Sequence, residues 1–240
     1  MSANFSHQGK QKKEYVKQMF NDISGKYDIF NLLSSFGIDR YWRNRLINKF
    51  NLSSHNSVLD VATGTGDVAF GIYKKYKSVV TGIDIAENMI SIAKRKTIKY
   101  KTDKLSFLVG DAEKLPFNTN SYDGLTISFG FRNLGDYDKS LSEFYRVLDK
   151  NGKIAILEFS KPRSNWFNPL FRFYFTKIIP ILGSMLSRRD AFVYLPESVD
   201  YFPSRDEICN KMKLAGFKNI EYSDYTFGVS TIYTGVKIDE

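Results

Sequence analysis

An α/β fold, a doubly wound and mostly parallel sheet with helices on both faces, is predicted by three features of the sequence. Short apolar runs alternate with amphipathic stretches of helical period. Those runs are continuous rather than alternating apolar and polar, as in strands covered on both faces, and right-handed crossovers join such strands. The first run ends in a glycine-rich turn that opens a helix. With 240 residues, 42% of them hydrophobic and 25% charged, the chain can bury one full core without staples, which excludes disordered, collagen-like and disulfide-scaffold classes.

Residues 14–24 and 38–50 read as short helices on either side of Lys26-Tyr27-Asp28-Ile29-Phe30-Asn31. Tyr15, Met19 and Ile23 recur at helical spacing in the first. Residues 58–62 form the first strand, which runs into Thr63-Gly64-Thr65-Gly66 and a helix over 67–76. The second strand, 78–83, ends at Asp84 and is followed by a helix over 87–99; the third, 105–109, ends at Gly110-Asp111. A fourth strand over 122–128, its helix over 137–148 and a fifth strand over 153–159 complete the parallel part. A helix over 205–215 and two strand-like runs, 219–225 and 231–237, form a C-terminal hairpin. The expected organisation is an N-terminal helical cap, 1–50, on a main domain, 51–240, with an aromatic helical insertion at 160–203.

Composition narrows the function. The single Cys209 cannot form an internal disulfide, and with only His7 and His55 beside it no thiolate or imidazole metal site is expected. Residues 1–26 lack the apolar core of a signal or anchor, and the aromatic run 166–186 is broken by Pro169, Arg172, Lys177 and Pro180. A cytoplasmic protein is therefore expected. The net charge of +9 admits a nucleic acid, an anionic membrane or an anionic small molecule, and equally a lysine-rich solvated surface. Residues 1–50 hold nine Lys/Arg against four Asp/Glu, but no nucleic-acid fingerprint accompanies them, so no nucleic-acid partner is expected.

The strand ends carry the chemistry. Gly64-Thr65-Gly66 lets backbone approach a ligand where a helix N-terminus offers free N–H groups. Asp84 lies twenty positions beyond Gly64, the spacing at which a carboxylate reaches ribose hydroxyls. A dinucleotide for hydride transfer would fit the same pattern. Asp60 and Asp67, however, bracket the glycines, which suits a cationic ligand such as the sulfonium S-adenosylmethionine better than a diphosphate. Asp111 could accept from an adenine amino group, with Leu115-Pro116-Phe117 as apolar walls.

The run from Val58 to Asp67 and the run Gly110-Asp111-Ala112-Glu113-x-Leu115-Pro116-Phe117 resemble the glycine and adenine-side motifs of class I S-adenosylmethionine-dependent methyltransferases. Lys26-Tyr27-Asp28-x-x-Asn31, Phe36-Gly37-Ile38-x-Arg40-x-Trp42, Ile127-Ser128-Phe129-Gly130-x-Arg132-Asn133, Leu157-Glu158-Phe159-Ser160-x-Pro162 and Tyr194-Leu195-Pro196-x-Ser198 are similar to the menaquinone/ubiquinone ring C-methyltransferases, the UbiE/MenG family.

The resemblance implies a Rossmann-like methyltransferase fold with S-adenosylmethionine as cofactor. Gly64, Thr65, Gly66 and Asp84 would bind it through the loop and ribose, Asp111 and Ala112 would flank the adenine, and Ser128 would sit beside the methionine part. Arg132, Asn133 and Tyr27 become the substrate-side candidates, Arg132 as the charge that stabilises a developing phenolate. The implied substrate is a prenylated quinol, with features at 178–183 and 194–203 favouring demethylmenaquinol over the ubiquinone-pathway ring. Its tail gives the aromatic insertion a role, as a groove or a peripheral contact with anionic membrane aided by Arg188-Arg189 and the basic arm; a homodimer contact would use the same aromatics. Two departures stand out: Tyr233 replaces a common family histidine, and Thr63 replaces a common glycine.

Overall fold

The computed structural model describes residues 9–163, 168–179, 181 and 189–238. Helices α1 (Gly9–Ile23), α2 (Tyr27–Ser35) and α3 (Ile38–Ile47) precede β1 (Ser57–Val61). There follow α4 (Asp67–Tyr76), β2 (Val79–Asp84), α5 (Glu87–Thr97), β3 (Leu105–Val109), β4 (Tyr122–Ser128), α6 (Tyr137–Val147) and β5 (Leu148–Phe159). The insertion contributes α7 (Asn168–Phe173), a π-helical turn over Tyr174–Ile178 and α8 (Arg189–Asp200). Helix α9 (Arg205–Leu214) and the hairpin β6 (Lys218–Tyr225) and β7 (Ser230–Val236) close the fold.

The seven strands lie in the order β3-β2-β1-β4-β5-β7-β6. The first five are parallel, and β7 runs antiparallel to both β5 and β6. Strand order reverses between β1 and β4, so the loops leaving their carboxyl ends diverge and leave a crevice between them. Successive residues point to opposite faces. Val58 and Val80 thus join Trp42, Ile47, Phe70 and Ile90 on one face. Leu59 and Ile83 join Leu125, Ile127, Phe144 and Met212 on the other. A third cluster, with Val16, Met19, Ile23, Met89 and Tyr194, seats α1 at the carboxyl edge of the sheet.

Three boundaries differ from the sequence expectation, each for a local reason. The segment at 26–31 is not a connection but the start of α2, which stops only where Phe36 and Gly37 turn left-handed at φ 50° and 77°. Helix α1 starts at Gly9, extended by lysines and glutamines of good helix propensity. Strand β5 starts at Leu148 because Leu148 pairs with Tyr122 of β4, and the turn at Asn151 and Gly152 is then held to Lys237 by backbone bonds of 2.8 and 2.9 Å. Trp166, Phe167, Pro180, Leu182 and Arg188 lie outside the described residues. Among those described, no helix is long and apolar enough to cross a membrane.

Lys12 sits on the inner face of α1, 4% exposed, and its Nζ donates to the backbone carbonyl of Arg132 at 2.7 Å. Burial, reinforced by the Arg132 charge, brings its pKa from 10.5 down to about 8. The unfolded chain therefore holds a proton that the folded chain has released between those two values, and stability rises with pH across that window. Urea unfolding midpoints compared at about pH 7.5 and about pH 9.5 should increase less in Lys12→Met than in the parent chain. Equal increments would show that Lys12 does not titrate there.

Candidate active site

The crevice is built from the ends of four strands. After β1 the chain turns sharply: Thr63 N–H donates to the carbonyl of Ile83 at 3.0 Å, and Gly66 N–H to the carbonyl of Thr63 at 2.9 Å. Gly66 adopts φ +92°, and a Cβ there would lie 2.7 Å from Phe70 and 3.1 Å from Phe107, so only glycine fits. Asp84 fixes the loop from β2. One carboxylate oxygen accepts from Gly64 N–H at 2.8 Å and the other from Ala86 N–H at 2.9 Å. Burial pushes its pKa upward, against the pull of these backbone donors.

A first cavity of about 700 Å³, part of it open to solvent, lies above this loop. It is lined by Gly64, Asp84, Asp111, Ala112, Ser128, Asn133 and Tyr27 among the candidates, so the fold brings together most of the residues the sequence singled out. The hydroxyl of Ser128 is buried there without a hydrogen-bond partner. Thr65 and Gly66 do not line this cavity: the Thr65 hydroxyl donates to Asp28 at 2.6 Å and accepts from Lys96 at 2.9 Å.

Some expectations change. Asp60 is buried beneath the loop, bonded by Thr63 at 2.6 Å and Thr126 at 2.7 Å, and burial raises its pKa to about 6. Thr63, where a glycine is common, thus anchors this acid. Asp67 pairs with Arg43 and Lys96 at 3.4 and 3.5 Å, so neither bracketing acid reaches the first cavity. Leu115 and Phe117 pack in the core, and Val16, Ile85 and Met89 supply the apolar walls instead. Asp111 meets Lys13 of α1 at 2.8 Å. The wall formed by Lys13, Val16 and Phe20 was not read from the sequence; the apolar stripe of α1 could have signalled a buried face, but not what it faces.

The loop after β4 carries Arg132 and Asn133 in a 3₁₀ turn, Phe131–Asn133. Arg132 Nη1 donates to Glu158 at 2.6 Å and to the carbonyl of Phe129 at 2.7 Å, and Nε to Ser198 at 3.2 Å. Asn133 donates to the Phe129 carbonyl at 3.3 Å and accepts from the Tyr194 hydroxyl at 3.1 Å. Arg132 and Asn133 therefore face different spaces. Asn133 lines the first cavity, whereas Arg132 lines a second, larger one of about 1480 Å³.

The second cavity is walled mainly by apolar and aromatic side chains: Met19, Phe30 and Trp42 from the N-terminal helices, and Phe171, Phe175 and Ile179 from the insertion. Phe20, Tyr27 and Phe129 line both cavities and form the seam between them. Burial raises the pKa of the Tyr27 hydroxyl, with the charge of Arg43 opposing the rise. Tyr233 is fully buried on β7 and lines neither space; burial lifts its pKa to about 12. Among the described residues no group of His, Cys, Asp and Glu could hold a metal ion.

Comparison with known proteins adds to this geometry. A ubiquinone/menaquinone biosynthesis C-methyltransferase of Geotalea daltonii is 42% identical over 230 residues, covering 95% of this chain and 98% of that protein. Its counterpart in Rickettsia akari is 41% identical over 235 residues, covering 95% and 94%. In fold, the chain is similar to an S-adenosylmethionine-dependent methyltransferase from Thermotoga maritima, with a TM-score of 0.66 at 18% identity over 92% of this chain and 99% of that one. The model of the ubiE/COQ5 methyltransferase family matches residues 8–237, and the chain belongs to that family.

Proposed function

We propose that this protein transfers a methyl group from S-adenosylmethionine to a ring carbon of a prenylated quinol, demethylmenaquinol, in menaquinone synthesis. The observation that carries the reading is the meeting of a cavity at the strand ends that holds Asp84, Asp111 and the Ser128 hydroxyl with a larger, mainly apolar one at Tyr27 and Phe129. The relatives named for both quinones leave the ubiquinone-pathway quinol as the close alternative. Membership of a methyltransferase family leaves the nicotinamide-dependent alternative without support.

The residues fit the cofactor. Asp84 presents its carboxylate to the first cavity, and Ser128 offers a buried hydroxyl with no other partner. Gly64 and Asp84 would hold the ribose side, Asp111 and Ala112 the adenine side, and Ser128 and Asn133 the methionine side. When bound, S-adenosylmethionine supplies an electrophilic methyl on a sulfonium. The protein's part is to hold an electron-rich ring carbon in line with that methyl and to hydrogen-bond the oxygen beside it. Tyr27, on the seam, is placed for the hydrogen bond. Arg132 is assigned differently from the sequence expectation: its charge is matched by Glu158, so it positions the loop that carries Asn133 and shapes the ring site.

The apolar cavity suits the isoprenoid tail, and its rim suits a bilayer. Ile29, Leu33 and Phe36 are 55%, 49% and 79% exposed on α2 and the turn after it. Arg40, Arg172 and Lys177 are exposed on α3, α7 and the π-helical turn, and we assign this face a peripheral contact with anionic membrane.

Calorimetric titration with S-adenosylhomocysteine should give micromolar binding, and labelled methyl should appear on demethylmenaquinol faster than on the ubiquinone-pathway quinol. Binding with no transfer to either quinol would overturn the substrate and keep the cofactor. Asp84→Ala should weaken homocysteine-product binding by about tenfold or more, because it removes the acceptor that also holds Gly64. Arg132→Ala strands Glu158 and should lower stability by about 3–5 kcal/mol, whereas Arg132→Leu with Glu158→Leu should recover most of that stability without recovering turnover.

A further inference from the structure

Several polar groups that line the apolar cavity are held by other parts of the protein. Ser35 shares its one hydroxyl proton between the Asn31 carbonyl and Asp39, each 2.6 Å away; Trp42 donates to Thr226 at 2.9 Å; Arg132 donates to Glu158. Tyr174 donates to the Ser34 carbonyl at 2.5 Å, and Asp39 is paired with Arg43. Among the described residues of this wall, one fully buried side-chain atom has no such bond. The side-chain nitrogen of Asn31 is buried and has no hydrogen-bond partner. An amide N–H withdrawn from water without an acceptor costs about 1–3 kcal/mol, and native proteins keep few of them. Its place makes it informative: Asn31 lies one turn along α2 from Tyr27, both line the second cavity, and the amide acts on the Tyr27 hydroxyl, favouring its ionised form, without closing a hydrogen bond of normal geometry to it.

We infer that Asn31 is a substrate-anchoring residue whose side-chain N–H donates to one ring oxygen of the quinol. The inference rests on the proposed function. The rest of the wall is mainly apolar, so a tail can slide along it, while Asn31, one turn from the seam residue Tyr27, offers a ring oxygen a buried N–H with no hydrogen bond of its own. Asn31 and Tyr27 together therefore hold the oxygenated end inward and leave the tail pointing along the apolar wall. The specificity follows from the chemistry: a ring without an oxygen at this position leaves the amide unpartnered and binds more weakly.

The test uses the full chain, a short-tailed demethylmenaquinol as substrate, and as competitors the two naphthols that each lack one of its ring oxygens. Asn31→Ala should raise KM for the quinol by about tenfold. The same variant should raise the inhibition constant of one naphthol by a similar factor while leaving the other, and the affinity for S-adenosylhomocysteine, unchanged. Asn31→Asp keeps the size and puts an acceptor in place of the donor, so it should lose at least as much. Equal changes for both naphthols, or none, would overturn the anchor. A parent chain that binds S-adenosylhomocysteine but methylates no quinol would instead remove the functional reading, and the anchor with it.

Discussion

Glu158 is wholly buried near the end of β5, and much of the site is arranged around its charge. Taking a carboxylate and a guanidinium out of water costs several kcal/mol per ion, a loss recovered only when geometry and hydrogen bonding are both good. Here they are. The carboxylate accepts from Arg132 Nη1, from the Arg132 backbone N–H at 3.0 Å and from the Phe159 N–H at 2.8 Å. Such a set admits one shape of the loop after β4. Lys12 from α1 and Tyr137 from α6 both donate to the Arg132 carbonyl, and Tyr194 from α8 holds Asn133. Elements from both ends of the chain are thereby locked to one turn of backbone.

That fixed turn brings two chemically different spaces into contact. Phe129, at its start, adopts a left-handed φ of 56°, and its ring packs against Trp42 and Phe159 at 6.0 and 4.6 Å. Gly130 follows because a Cβ there would lie 2.4 Å from that of Ala62, so the loops after β1 and β4 touch. The space over the first loop and the apolar space over the second therefore adjoin at Phe20, Tyr27 and Phe129. Proximity of this kind can supply much of a methyl transfer, since a ring carbon beside a hydroxyl that has given up its proton is itself the nucleophile and no side chain need be activated to attack.

How much of this was legible in the sequence depends on distance along the chain. Strands of 5–7 residues with continuous apolar runs announced the parallel sheet, and the glycine turn with Asp84 twenty positions on located the first cavity. Pairings of residues far apart were not legible. Nothing near Arg132 announces Glu158 as its counter-ion, and nothing near Lys12 announces a carbonyl 120 residues away. Asp60 misled for the same reason: it stands at a strand end as expected, but Thr63 and Thr126 are the groups that meet it, while Asp111 lines the first cavity with Lys13 as a partner no local signal announced. Helix α2 was missed because its sequence carries no capping residue, only a left-handed exit that the backbone reveals.

Charge shows how far a segment's composition can stand from its role. The arm that raises the net charge of the chain pairs three of its lysines with other parts of the molecule, one of them, Lys12, buried. Lys12 reaches Arg132, Lys13 bridges Asp111 and Glu113 at 2.8 and 2.6 Å, and Lys17 meets Glu87 at 3.1 Å. Farther on, Lys96 of α5 pairs with Asp28 of α2 at 2.6 Å. These contacts draw the first two helices over the strand ends, so that Lys13, Val16, Phe20 and Tyr27 become walls of the same space as Gly64 and Asp84. The cap is therefore one side of the site and the sheet the other. The positive arm does not make the crevice positive: of the charged residues that line the first cavity, Lys13 stands against Asp84, Asp111 and Glu113, and this excess of acid suits a cationic cofactor.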